Sequence, residues 1–156
     1  MSEDKLYRPN VAAIILSNEY PQKKEIFLAE RSDMSNIWQF PQGGIDEGES
    51  AEEALFRELE EEIGTDKVKI VAEFPEWISY DFPQGVAKRM KPYAGQKQRY
   101  YLVKLKKKAI INLETKHPEF ISHKFVSVDE LFDHVAHFKK PVYEKVVKYF
   151  KSEGFL

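Results

Sequence analysis

The chain has 156 residues, 42% apolar and 32% charged, with a formal net charge of −2. Such a chain suits a single globular domain, residues 1–156, with room for a sizeable core. With no cysteine, disulfide frameworks, thiolate metal sites and cysteine nucleophiles are excluded.

The N-terminal MSEDKLYRPN is polar and no apolar run reaches membrane-spanning length, so a cytoplasmic protein without membrane contact is expected. Val11–Leu16 (VAAIIL) and Glu25–Ala29 (EIFLA) are apolar runs of strand length. The turn formers and Pro21 between them predict a hairpin. Arg31–Glu49, punctuated by Pro41, Gly43, Gly44 and Gly48, reads as a loop. Ser50 with Glu53 makes a capping box and Gly64 suits a helix end, which predicts a helix from about Ala51 to Ile63. Further strands are expected over Val68–Phe74, Trp77–Tyr80, Gln98–Leu105 and Lys124–Ser127. A short helix is expected over Asp129–His134, begun by the side chain of Ser127 or Asp129. Pro141 opens a last helix with Val142, Val146 and Tyr149 or Phe150 on one face. Strands flanking a central helix, then a terminal helix, predict an α+β protein with a mixed sheet between helices.

Charge is distributed unevenly. Between Asp46 and Asp66 nearly every charged residue is acidic, Arg57 being the exception. From Phe82 to Leu113 there is no acid, while nine lysines and arginines fall there, among them Lys97 and Arg99. An acidic segment beside a basic one suggests a metal on one side and a polyanion on the other, or simply two solvated faces of opposite sign.

Glu58, Glu60, Glu61 and Glu62 crowd into little more than one helical turn, and like charges three and four apart repel. At roughly 100° per residue, Ala51, Leu55 and Leu59 form an apolar stripe. Glu58 and Glu62 fall close to that stripe, Glu61 beside them, and Glu60 away. Carboxylates near a core need a partner. Arg57, within reach of Glu61 or Glu49, is too little positive charge for all of them. A hard divalent cation held by oxygen ligands would complete the cluster.

The segment Gly43–Gly64 resembles the Nudix box, G-x5-E-x7-R-E-U-x-E-E-x-G-U with U aliphatic. Gly43, Glu49, Arg57, Glu58, Leu59, Glu61, Glu62 and Gly64 stand at its spacings, and Thr65 replaces the final aliphatic residue. The resemblance implies the Nudix fold, an α/β/α sandwich, and hydrolysis of a nucleoside diphosphate linked to another group. It further implies two or three divalent ions, magnesium with manganese or zinc as alternatives. Their ligands would be Glu58, Glu61, Glu62 and the Gly43 carbonyl, with Glu49 and Arg57 as a pair bracing loop against helix. Arg57 joins Glu58, Glu61 and Glu119 in the expected catalytic set.

Within the family, several short segments resemble bacterial RNA pyrophosphohydrolases and dinucleoside polyphosphate hydrolases. They are Tyr7–Asn10, Trp38–Gly44, Gly95–Gln98, Pro118–Phe120 and Phe138–Lys140. The implied partner is an RNA 5′ end or a dinucleoside polyphosphate, with no obligatory protein partner evident. A Nudix-fold module that binds 5′ ends without cleaving them is the alternative of another class, disfavoured because every box carboxylate is present. By the resemblance Glu119 is a further metal ligand or the general base. Arg8, Arg31 and Lys97 could contact phosphates, or be ordinary surface charges. Phe138 reads as a base-stacking platform beside Lys139 and Lys140, or as a core residue opening the last helix. Trp38 reads as core. His117, His123, His134 and His137 have no metal-ligand spacing and read as surface residues.

Overall fold

The structure, a computed structural model, describes residues 5–156. The apolar run at Val11 belongs to a longer strand, β1 (Tyr7–Leu16), followed by β2 (Glu25–Arg31), β3 (Trp38–Gln39) and β4 (Gln42–Gly44). Next come α1 (Ala51–Ile63), β5 (Val68–Glu73), β6 (Ile78–Asp81) and α2 (Gln84–Arg89). The chain then forms β7 (Gly95–Leu105), β8 (Phe120–Ser127), a 3₁₀ turn (Val128–Asp133) and α3 (Lys140–Ser152).

The sheet runs in the order β3-β2-β1-β7-β5, with β4 on β1, β6 on β7 and β8 on β2. Strands β1 and β7 are parallel, from Tyr7↔Gly95 to Leu16↔Lys104, and the other pairs are antiparallel. Because successive strand residues face opposite sides, the unbroken apolar run of β1 feeds two cores. Ala12, Ile14 and Leu16 pack with Tyr100, Leu102 and the α3 residues Tyr143, Val146, Val147 and Phe150. Val11, Ala13 and Ile15 pack with Tyr101, Val103 and the α1 residues Leu55, Leu59 and Ile63. This is the expected α/β/α sandwich, and it explains why β1 reads as continuously apolar rather than alternating.

Four local readings change. The segment expected to be loop from Arg31 to Glu49 contains β3 and β4, each too short to carry a periodic signal. Helix α2, short and without a buried residue, was invisible to an argument from apolar spacing. The 3₁₀ turn starts without a side-chain cap from Ser127. On α3 the buried face is Tyr143, Val146, Val147 and Phe150, with Val142 only partly covered.

Candidate active site

Helix α1 is fixed at both ends by local chemistry. The Glu53 N–H donates to Ser50 Oγ at 3.1 Å, and the Ser50 N–H donates back to Glu53 Oε1 at 3.1 Å. At the other end Gly64 has φ 77° and its N–H donates to the Glu60 carbonyl, a left-handed turn that glycine adopts without a Cβ penalty. Thr65, the departure from the box, is buried and its Oγ1 accepts the Lys67 N–H at 3.1 Å. Its hydroxyl is therefore satisfied where an aliphatic group was expected.

The carboxylates sort as the helical angles required. Glu62 is 4% exposed, Glu58 is half-buried, and Glu60 and Glu61 are exposed. Burial pushes the Glu62 carboxyl well up, and the charges of Glu119 and Glu58 push it further, while the Gln42 N–H opposes this at 3.2 Å. Burial also raises Glu58, against the pull of Arg57. Antiparallel pairing of β4 with β1 brings Gly43 beside Val11 and Gly44 beside Asn10. A Cβ on Gly43 would fall inside the Glu58 carboxyl, and one on Gly44 inside the Arg8 guanidinium. The two glycines admit an acid and a base against adjacent backbone. Gly43→Ala must therefore displace the Glu58 carboxyl, and a loss of activity of about 10²-fold with little change in melting temperature is expected.

Arg57 spends its guanidinium on the loop–helix junction. Nε and Nη2 donate to Glu49 at 2.7 and 2.8 Å, Nη2 donates to the Gly44 carbonyl at 2.8 Å, and Nη1 donates to Glu58 at 2.8 Å and Glu61 at 3.2 Å. It thus meets Glu49 and Glu61 together. The Arg57 guanidinium, with the Asp46 N–H, holds the Glu49 carboxyl down to about 2.

An extra residue on β8, Ile121, shifts the β2–β8 register after Glu30↔Ser122 and aligns Arg31 with Phe120. The Ser32 N–H donates to the Glu119 carbonyl at 2.8 Å. Glu119 is exposed but close enough to Glu58 and Glu62 to disfavour their ionisation. Arg31 also lines the cleft, in a fork with Asp33 at 2.8 and 2.6 Å.

These groups border a cleft of about 930 Å³. Arg8, Gln96 and Tyr80 stand in one row across β1, β7 and β6 and face it. Tyr80 was missed in the sequence, where it was one aromatic among many. Its ring lies 5.6 Å from Phe138 and 6.0 Å from Phe82, with Lys139 Nζ 5.8 Å away. Phe138 is 45% exposed, so it is not a core residue. Lys139 is buried, and burial, with Arg31 nearby, lowers its ammonium to about 7 against the pull of Glu62. Beneath them Gln98 Nε2 donates to Asn10 Oδ1 at 2.8 Å and to Gln42 Oε1 at 2.7 Å, and Tyr100 donates to Gln98 Oε1. That network anchors Gln42, next to Gly43.

Two of the expected substrate contacts lie elsewhere. Lys97 and Lys140 do not line the cleft; Lys97 Nζ sits 5.1 Å from the Trp77 ring centre. The histidines also divide. His117 and His123 are exposed, whereas His137 is half-buried, lines the cleft and contacts the Trp38 carbonyl at 3.0 Å.

The NUDIX domain pattern matches residues 6–149. The chain belongs to the Nudix family. This Nudix protein is 64% identical over 153 residues to an RNA pyrophosphohydrolase of Nitratiruptor sp., covering 98% of this chain and 99% of the relative. It is 62% identical over 156 residues to an RNA pyrophosphohydrolase of Campylobacter jejuni subsp. doylei, covering 100% of both. Its fold is similar to that of the E. coli dihydroneopterin triphosphate pyrophosphohydrolase, with TM-score 0.72, 17% identity and coverage of 94% of this chain and 97% of the other.

Nudix hydrolases need divalent metal ions. The donors here are all oxygens, and Glu62 is a buried carboxylate under pressure from two others, which fits a hard cation. Among the described residues no three acidic or histidine side chains form a group that could hold a metal ion; Arg57 Nη1 donates to both Glu58 and Glu61. Among the described residues no helix is long and apolar enough to cross a membrane.

Proposed function

We propose that the protein hydrolyses the 5′-triphosphate end of RNA to a 5′-monophosphate, releasing pyrophosphate or phosphate stepwise and so promoting mRNA decay. The observation that carries this reading is the facing of two unlike walls across one cleft: the carboxylates of α1 with Glu119, and the Tyr80–Phe138 pair with Arg8 and Lys139. The first 5′ base stacks on Phe138 and Tyr80, since every base presents a π-face to an aromatic ring. Arg8 and Lys139 receive phosphate oxygens, and Arg31 does so once it leaves Asp33.

Divalent ions, magnesium foremost, would be held by Glu58, Glu61, Glu62, Glu119 and the Gly43 carbonyl, supplying charge neutralisation and an acidified water. Arg57 keeps the Glu58 carboxyl in place. Of the carboxylates, Glu119 stands on a loop outside the Arg57 network; where it does not hold an ion, it accepts the proton of the attacking water. Water adds to phosphorus as the phosphoanhydride P–O bond on the opposite side breaks, and the Arg8 guanidinium pairs with the negative charge of the departing phosphate or pyrophosphate.

Triphosphorylated RNA and diadenosine tetraphosphate, compared by kcat/KM at low concentration, test the reading. RNA is expected to be the better substrate by at least tenfold. A preference for the dinucleotide would transfer the assignment to polyphosphate hydrolysis. Phe138→Ala should raise KM for RNA about tenfold while moving kcat little.

A further inference from the structure

Six of the nine cations in the acid-free stretch beyond Phe82 gather in three places. Arg89 reaches the cleft, and Lys104, Lys106 and Lys107 gather with Lys69 at the far end of β7. Lys97 and Arg99 stand beside Trp77. Only this last group places cations on an exposed aromatic ring. Trp77 is 44% exposed, with Lys97 Nζ 5.1 Å and Arg99 Cζ 5.5 Å from its ring centre. An indole left this open forgoes the burial that tryptophan ordinarily obtains. Arg99 also meets Glu73, whereas Lys97 has no ion-pair partner among the described residues.

The position of this group relates it to the cleft. Trp77 immediately precedes β6, which among the described residues pairs with β7 alone and forms an edge of the sheet there. Tyr80↔Gln96 and Ser79↔Lys97 are successive pairs of that ladder, so they face opposite sides. Tyr80 and Gln96 line the cleft; Lys97 and Arg99 share the other face with Tyr101, on the side of α1. One edge therefore carries an aromatic and cationic surface on each face. Trp77 and Tyr80 are three residues, roughly 10 Å, apart along the strand.

We propose that Trp77, with Lys97 and Arg99, is a second stacking platform that takes a nucleotide of single-stranded RNA downstream of the 5′ nucleotide in the cleft. This rests on the RNA 5′-end reading above. The strand crosses the β6 edge, its base lies on the indole, and flanking phosphates meet the two cations. Stacking on an indole tolerates any base, and phosphate contacts respond to salt. The site thus makes affinity depend on RNA length and ionic strength rather than on downstream sequence.

The test compares triphosphorylated RNAs of two and six nucleotides with the full chain, Trp77→Ala and Trp77→Phe. For the unaltered protein KM is expected to be lower for the hexamer. Trp77→Ala should raise the hexamer KM about tenfold, shift the dimer KM less than about twofold, leave kcat unchanged, and be largely rescued by Trp77→Phe. Lys97→Met, which keeps the ring, should flatten the salt dependence for the hexamer. Equal KM shifts for both lengths, or none, would overturn the proposal and assign Trp77 to structure or to a protein partner. Quenching of tryptophan fluorescence by a 5′-hydroxyl hexamer, lost in Trp77→Phe, provides a readout independent of turnover. Quenching with neither pyrophosphate nor phosphate released from either triphosphorylated RNA would leave the platform standing and remove the RNA 5′-end reading; no quenching would remove the platform.

Discussion

Replacing Glu58, Glu61 or Glu62 singly with Gln is expected to lower turnover of triphosphorylated RNA by about 10³-fold without unfolding the protein. Glutamine keeps the shape and one acceptor oxygen of each side chain but removes the charge that a divalent ion requires. Glu62→Gln separates function from stability most clearly. The Glu62 carboxyl is raised well above its usual range, first by burial and then by Glu119 and Glu58. A carboxyl raised in the folded state makes stability fall as pH rises from the ordinary carboxylate range toward its folded value. Gln removes that penalty, so at neutral pH in the absence of metal the variant should melt no lower than the unaltered chain. Calorimetry with and without magnesium reads both effects: metal should stabilise the unaltered protein and stabilise Glu62→Gln much less. Full activity in both Glu61→Gln and Glu62→Gln would refute the metal assignment.

Arg57→Ala is expected to be the most destabilising single change at the site, by about 3 kcal/mol in urea unfolding. It strips the cation from the half-buried Glu58, unpairs Glu49 and orphans the Gly44 carbonyl, all of which Arg57 now contacts. Arg57→Lys should recover little, because an ammonium cannot span Glu49 bidentately while also reaching Gly44. Activity should fall with stability, since the same side chain holds Glu58. The pH dependence has a definite sign. Glu49 is held down to about 2, so the stability it contributes is present above the ordinary carboxylate range and is lost as pH falls toward about 2. Glu49→Gln should therefore flatten the acid limb of stability measured between about pH 5 and pH 2.

Much of α1 was legible because its determinants are local. Ser50, Glu53 and Gly64 act within a few residues of themselves, and helical periodicity alone places Glu62 inward and Glu60 outward. The reading of β1 and β7 was right in type but silent about faces. Both strands are covered on two sides, so alternation does not say which side opens into a cleft. A shift of one residue moves a side chain from one face to the other. Lys97, expected to contact phosphate, is one residue from Gln96, which lines the cleft, and faces the other way. The nucleotide wall was half-read for a related reason. Phe138 stood out beside two lysines, while Tyr80 acquires meaning only when the segment before α3 meets β6, far apart in the chain.

The chain order of Gly43–Gly64 was sufficient to specify the carboxylate helix, its caps and its Arg57 brace, because hydrogen bonds and helical angles over a few residues decide them. The tertiary structure decided which cations face that helix. Parallel pairing of β1 with β7, segments some ninety positions apart, puts Arg8 in the cleft, and the register of β6 on β7 puts Lys97 beside Trp77.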